Sequence, residues 1–305
     1  MNRPMTDETT GEMTGETMGD PTGETTGEMT GDPTQNPPPP TLFAVGGCKG
    51  GVGKTMVALA LVDYLLRRDW PILLVETDTS NPDVWRMYGG EPGVVAEALD
   101  LDRAEGWIDL INLCEAHPGR VAVVNTAARN NRGVAAHGAT LNRALPELRR
   151  RLVTLWAINT QRDSVELLES YLRALPGAVT HVILNTYFGP ADRFGLYRSL
   201  PVSGEIARRG GRVLALDRLA DRVTQDLYSR RLSVARALRR GGPDALPLGN
   251  RAELERWREE VAHLFDAVVP GELPDPPSVG AAAGAASPGR SASGSASGPV
   301  SAATA

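Results

Sequence analysis

Lysine is nearly missing from this 305-residue chain: Lys49 and Lys54 are the only two, against 30 arginines. A general preference for arginine accounts for the 30. It does not account for both lysines falling five residues apart in one glycine-rich stretch. A compact ammonium and a planar guanidinium are not interchangeable beside a crowded phosphate, so that stretch is singled out. Cysteine is as scarce. Cys48 and Cys114 stand alone, without a CxxC partner, which excludes a zinc ribbon, a cysteine-bound iron–sulfur centre and a disulfide framework. No run approaches the roughly 20 apolar residues of a membrane span. Residues 1–40 hold no apolar segment of the kind a signal peptide carries. A cytoplasmic protein with no membrane part is expected.

The chain divides by composition. Residues 1–40 are a Thr/Gly/Glu/Met/Asp/Pro tract in which TTGEMTG occurs at 9–15 and again at 25–31, closed by four prolines. Eight acids stand there against Arg3, and the apolar side chains are nearly all Met. Such a tract buries too little surface to offset its ordering entropy, so disorder is expected. Residues 271–305 are Ala, Gly, Ser and Pro and read as a flexible tail. Between them, 41–270 suffices for one sizeable α/β domain. Its net charge is about +3 by difference, too small to announce a nucleic-acid partner on its own.

Within 41–270 the pattern is strand, glycine loop, helix, strand, repeated. Short apolar runs at Leu42–Val45, Ile72–Val75, Val121–Val124, Leu152–Ile158, Val179–Leu184 and Val213–Leu216 predict six strands. Helical stretches are expected at Thr55–Arg68, near Gly106–Ala116, from a cap at Asp163 or Ser164 to about Leu172, and over Leu219–Leu238 and Arg251–Val268. Alternation of this kind implies a doubly wound, mainly parallel sheet with helices on both faces. Ligands of such sheets sit at the carboxyl ends of the strands, so the loops there are where chemistry is expected.

The first of those loops reads Gly46-Gly47-Cys48-Lys49-Gly50-Gly51-Val52-Gly53-Lys54-Thr55. Successive glycines let backbone N–H groups converge on phosphate oxygens, and the helix that follows adds the positive end of its dipole. Lys54 is positioned to reach the β- and γ-phosphates and the Thr55 hydroxyl to ligate Mg²⁺. The general pattern G-x-x-x-x-G-K-[ST] asks for Gly at 48, where this chain has Cys. Lys49–Thr55 resembles the K-G-G-x-G-K-[ST] loop of the ParA/MinD family of ATPases, in which that first position varies. The resemblance implies ATP held by Lys49, Gly50, Gly51, Val52, Gly53, Lys54, Thr55 and Met56, with Mg²⁺. It also implies an ATP-dependent homodimer in which Lys49 reaches the partner's nucleotide and neutralises charge on the transferring phosphoryl group, as an arginine finger does. Cys48 reads as a small residue packed beside the loop.

At the second edge stands Val75-Glu76-Thr77-Asp78-Thr79-Ser80-Asn81-Pro82-Asp83, similar to plasmid-transfer versions of the family. Glu76 and Asp78 match the family's D-x-D element, which assigns them to the metal and Asp78 to orienting the attacking water. Asp83 reads as a helix cap after Pro82. At the third edge Asn125 occupies the place of the family's metal-shell Asp, and it supplies no negative charge. Two readings follow. Either Thr55, Glu76 and Asp78 carry the metal with Asn125 and hydrolysis is slow, or the protein is a nucleotide-gated module with little turnover. Arg129–Arg132 would lie in a segment that senses the γ-phosphate. Asn185 matches the family's adenine-binding Asn, with Asp217 and Arg218 flanking base or ribose. The resemblance further implies partition or mobilisation of DNA, with non-specific DNA or a DNA-binding adaptor as partner, although each arginine cluster alone reads as a solvated helix face. An ATP-dependent small-molecule ligase on the same scaffold is the alternative, and Lys49 argues against it.

Overall fold

The glycine loop leaves the middle of a sheet. Thr41–Gly46 (β1), Ile72–Glu76 (β2) and Val121–Asn125 (β4) are buried at every residue, as strands covered on both faces must be. Val94–Ala98 (β3), Arg151–Ile158 (β5), Val179–Asn185 (β6) and Val213–Leu216 (β7) complete the sheet. Its order is β3-β2-β4-β1-β5-β6-β7, and every neighbouring pair is parallel. The structure, a computed structural model, describes residues 40–128 and 131–269. The tract expected to be disordered (Pro40 apart) and the Ala/Gly/Ser/Pro tail lie outside the described residues.

Eleven α-helical segments connect these strands among the described residues: Lys54–Leu66 (α1), Asp83–Tyr88 (α2), Ala104–Ala116 (α3), Asn131–Ala144 (α4), Asp163–Glu166 (α5), Leu168–Ala174 (α6), Gly195–Ser199 (α7), Pro201–Arg208 (α8), Asp221–Arg230 (α9), Val234–Ala237 (α10) and Leu248–Asp266 (α11). Alternate strand residues feed opposite cores. Phe43, Val45, Ile72, Leu74 and Val123 pack against α1, α2 and α9–α11. Leu42, Ala44, Leu73, Val75 and Val124 pack against α3, α4, α6 and α8. The period-2 alternation of a strand thus gives each face of the sheet its own apolar layer, and the doubly wound expectation holds with every strand parallel.

Several elements differ from expectation. β3 is an edge strand, intermediate or exposed along its length, so no continuous apolar run announces it. Helix α4 has few apolar side chains and includes Gly133 and Gly138, which mask its periodicity. The stretch expected as one helix over Leu219–Leu238 is two, because Arg231 turns left-handed at φ 53° and ends α9. Neither Asp163 nor Ser164 caps a helix: Arg162 precedes α5, and the Ser164 hydroxyl donates to the carbonyls of Asn159 and Gln161. Asp83 likewise lies in the first turn of α2, one residue past the cap position held by Pro82. There it accepts from the Asn81 amide.

One buried ion pair ties the last helix to the first. Arg258 grips Asp63 with two parallel bonds of 2.6 and 2.7 Å, and Asp63 is 4% exposed. Removing one partner strands a buried charge, whereas removing both does not. Arg258→Ala is therefore expected to cost about 3 kcal/mol, read from the midpoint of urea unfolding. Asp63→Leu/Arg258→Leu is expected to recover most of that loss.

Candidate functional site

Three features make the loop after β1 an anion cradle. Helix α1 begins with no side-chain cap and no acid in its first turn, so its free N–H groups and positive dipole end are left for an anion. Gly53, at the cap position, is left-handed at φ 103°, and a Cβ there would lie 2.3 Å from Asn185 Nδ2. Only glycine fits. The third feature is Lys54, buried at the base of the loop, with its Nζ donating to the Lys49 carbonyl at 2.8 Å. Burial pushes the Lys54 ammonium below its usual range, opposed by the charge of Asp78. An incoming phosphate would offset that desolvation.

Lys49 points elsewhere. Its Nζ lies 2.5 Å from Asp163 Oδ2 and 2.6 Å from Gln161 Oε1, and the two charged side chains are 37% and 51% exposed. Gln161 and Asp163 occupy the loop after β5 and the first turn of α5. The adjacent Cys48 thiol donates to the Asp163 backbone carbonyl. Burial pushes that thiol up to about 11, so it stays protonated and unreactive near neutral pH. A groove of about 830 Å³ runs alongside, lined by Cys48, Asp102, Ala128, Arg132, Leu167 and Ser170 among others. Arg132 of the expected phosphate-sensing segment faces it, and Arg129 lies outside the described residues.

The acids lie on the other side of the loop. Glu76 and Asn125 are register partners on β2 and β4. Asn125 Nδ2 donates to both Glu76 oxygens, at 3.0 and 3.1 Å, and the backbone N–H groups of Thr77 and Asp78 add two more bonds to Oε1. Glu76 is fully buried. Its carboxyl is pushed up to about 7, first by burial and further by the charge of Asp78, against the bonds from Asn125, Asp78 and Thr77. The Oδ1 of Asn125 is buried without a hydrogen-bond partner. Asp78 is half-buried, and its Oδ1 accepts from the Asn81 N–H at 3.0 Å. Among the described residues no three His, Cys, Asp or Glu side chains form a metal-binding group. The donors at hand, Thr55 hydroxyl, Glu76 carboxylate and Asn125 carbonyl, are all oxygens, as Mg²⁺ prefers.

The third wall is a cavity of about 420 Å³ lined by Met56, Asn185, Tyr187, Leu216, Arg218 and Tyr228 among others. Its apolar sides and polar rim suit a planar base. Asn185 Nδ2 donates to the Val52 carbonyl at 2.9 Å, and its Oδ1 accepts from the Tyr187 N–H, so this residue also braces the loop. The Arg218 guanidinium sits 5.2 Å from the centre of the Tyr187 ring and pairs with Asp221 at 2.8 Å. The site residues expected from sequence therefore gather at one edge of the sheet. Gln161 and Asp163 were not among them as partners of Lys49, and Tyr187 and Tyr228 were not foreseen as pocket walls. The signal for the first two was their place just past a strand's carboxyl end.

The CobQ/CobB/MinD/ParA nucleotide binding domain family matches residues 43–209. Protein MobD of Acidithiobacillus ferrooxidans is 48% identical over 229 residues, 75% of this chain and 98% of that protein. Among solved structures, the MinD cell division protein of Aquifex aeolicus aligns at TM-score 0.45 and 12% identity, covering 74% of this chain and 97% of its own. A ParA family ATPase from Chlorobium tepidum TLS aligns at TM-score 0.42 and 14% identity, covering 72% and 98%.

Burial at Glu76 carries a pH signature. Its carboxyl holds its proton more tightly in the folded chain, at about 7, than at the ordinary 4.5. That contribution to stability is complete below about pH 4.5 and is lost as pH rises through about 7. His181 acts oppositely: burial pushes its imidazole down to about 4 from 6.5, so its contribution grows as pH rises from about 4 to 6.5. Comparison with Glu76→Gln isolates the first. Between about pH 5 and pH 8, without nucleotide or divalent cation, wild type is expected to lose about 3 kcal/mol relative to Glu76→Gln in urea unfolding. Parallel curves for the two proteins would show that Glu76 titrates normally.

Proposed function

The chain belongs to the CobQ/CobB/MinD/ParA nucleotide-binding domain family, and on that premise we propose that it is an ATP-dependent dimerising switch that hydrolyses ATP slowly. The observation that carries the proposal is the pairing of the chain's two lysines in one loop with opposite exposures. Lys54 is buried under the loop, while Lys49 is half-exposed on a pair it can leave. We read 41–270 as the working unit.

Each group has a task in this reading. The triphosphate lies against the N-terminus of α1, and Lys54 exchanges the Lys49 carbonyl for phosphate oxygens. Met56, Tyr187 and Tyr228 wall the base, and Asn185 holds the loop against it. Thr55, Glu76 and Asn125 would hold Mg²⁺, with the unpartnered Asn125 Oδ1 offering a free acceptor. That ion, when bound, would neutralise charge building on the phosphates. Asp78, half-buried beside Lys54, orients the attacking water. Lys49 leaves Asp163 for the nucleotide of a second copy. A half-exposed ion pair is worth only about 0–1 kcal/mol, so a phosphoryl group competes for Lys49 readily. Hydrolysis is slow because the buried acid of the site is satisfied by four hydrogen bonds from neutral donors. The same satisfied acid favours, as a second reading, a nucleotide-gated module with little turnover.

For the setting we propose DNA mobilisation or partition in the cytoplasm, with DNA or a DNA-binding adaptor as partner. The name of the relative MobD and the Val75–Asp83 stretch support this. No described helix is long and apolar enough to cross a membrane.

Light scattering with ATP and Mg²⁺ tests the switch. Wild type is expected to double its mass, with turnover that stops in Lys49→Ala while nucleotide stays bound. Lys54→Ala is expected to lose nucleotide binding by at least about tenfold, since the phosphates lose their buried cation. Wild type that binds ATP at constant mass, with Lys49→Ala unaltered, would sink the dimer and leave the passive module.

A further inference from the structure

The family match ends at residue 209, yet most of the wall of the base cavity lies beyond it. Eight of the eleven residues that line the cavity fall in 216–228, at the end of β7, in the strip that follows and on α9. That wall hangs from α11. Asn250, Glu253 and Trp257 share one face of the helix, at spacings of three and four. Trp257 Nε1 donates to the Asp217 carbonyl at 2.8 Å. Glu253 Oε1 accepts from the Ala220 N–H, at the start of α9, at 3.3 Å. The Asn250 amide donates to Asp226 of α9 at 2.7 Å. Arg256 grips Glu253 with two bonds and keeps it aimed. On another face, Arg258 and Asp266 fasten α11 to α1. Helix α1 opens on the phosphate cradle, so α11 splints the base wall to the phosphate end of the site.

Between the two clamped points, 217 and 220, lie Arg218 and Leu219. Among the described residues their backbone N–H and C=O groups take no backbone partner, and both residues line the cavity. They offer donors and acceptors to the edge of a base. Asn185 offers less, since its Nδ2 is on the Val52 carbonyl and its Oδ1 on the Tyr187 N–H. Hydrogen bonds weaken steeply once their angle is lost, so a backbone strip binds a base only when it is held still. We propose that α11 sets the affinity of this site for the nucleobase, with Trp257 and Glu253 holding the strip so that the Arg218 and Leu219 backbone meets the base edge. The inference rests on the nucleotide-binding reading above. Trp257 and Glu253 are positioning residues: neither lines the cavity, and both act on nucleotide through the strip. The phosphates lie against the free N–H groups of α1 and do not depend on them.

The test is calorimetric titration of the full chain in Mg²⁺, once with ATP and once with inorganic tripolyphosphate, which carries the phosphates without a base. Trp257→Phe keeps a packed ring and loses the donor. Glu253→Ala loses the acceptor at a partly exposed position, which keeps the idea testable where Trp257→Phe does not fold. Each is expected to weaken ATP at least about fivefold while tripolyphosphate stays within about twofold of wild type. Glu253→Gln keeps an oxygen for the Ala220 N–H and is expected to bind both ligands within about twofold of wild type. Equal losses for the two ligands, or an unchanged ATP affinity in either folded variant, overturn the inference and leave the nucleotide-binding reading intact. So does a Glu253→Gln that behaves as Glu253→Ala, or a wild type that binds tripolyphosphate as tightly as ATP. ATP binding that is absent, or that persists undiminished in Lys54→Ala, overturns the nucleotide-binding reading and the inference with it.

Discussion

Asn185 holds the glycine loop by the carbonyl of Val52, and the orientation of the whole site follows from that bond. The amide comes from the end of β6, two strands away from β1. It comes so close that residue 53 has no room for a side chain. With Gly53 held left-handed, α1 starts at Lys54 with its first N–H groups free, and Lys54 turns under the loop instead of into solvent. Val52 is fully buried beneath, so the loop is packed from below and braced from the side. A cradle this constrained costs little further ordering when a ligand arrives.

Around the cradle, the charged groups are arranged by how easily each can be redirected. Lys49 sits on an exposed partner and is cheap to move. Lys54 sits on a carbonyl and carries a desolvation cost that phosphate relieves. Glu76 is the fixed one, with four bonds and no exposure. In the proposed switch, phosphate would redirect the positive side of this site and leave the acid in place, which fits a readout at Lys49, Gln161 and Asp163.

Much of this was legible in the residues. The loop stands out because lysine occurs nowhere else, and the buried parallel strands stand out because both faces are covered. What was hidden has a physical cause in each case. β3 at the sheet edge needs no continuous apolar run. Gly138 of α4 approaches the end of α6, where a Cβ would lie 3.3 Å from the Leu175 side chain. The close packing that makes the helix belong there also removes the apolar side chain that would have revealed it. Gln161 and Asp163 are ordinary loop residues in sequence. They become partners of Lys49 only across 112 and 114 residues, a separation no local pattern records. Asn185 was expected to meet the base, but its bracing of the loop depends on a backbone carbonyl, and carbonyls have no signature in sequence.

The scarcity of lysine has an outcome beyond phosphate. Arginine carries the positive charge everywhere else, and guanidinium groups do not undergo lysine acylation. Lys54 is shielded at 8% exposure, whereas Lys49 is open. Any acyl-transfer modification of a lysine in this protein, enzymatic or spontaneous, therefore falls on the nucleotide loop and first on the residue proposed to join two copies. Ordinary amine metabolism at a protein surface becomes, in this chain, a chemical input addressed to one position.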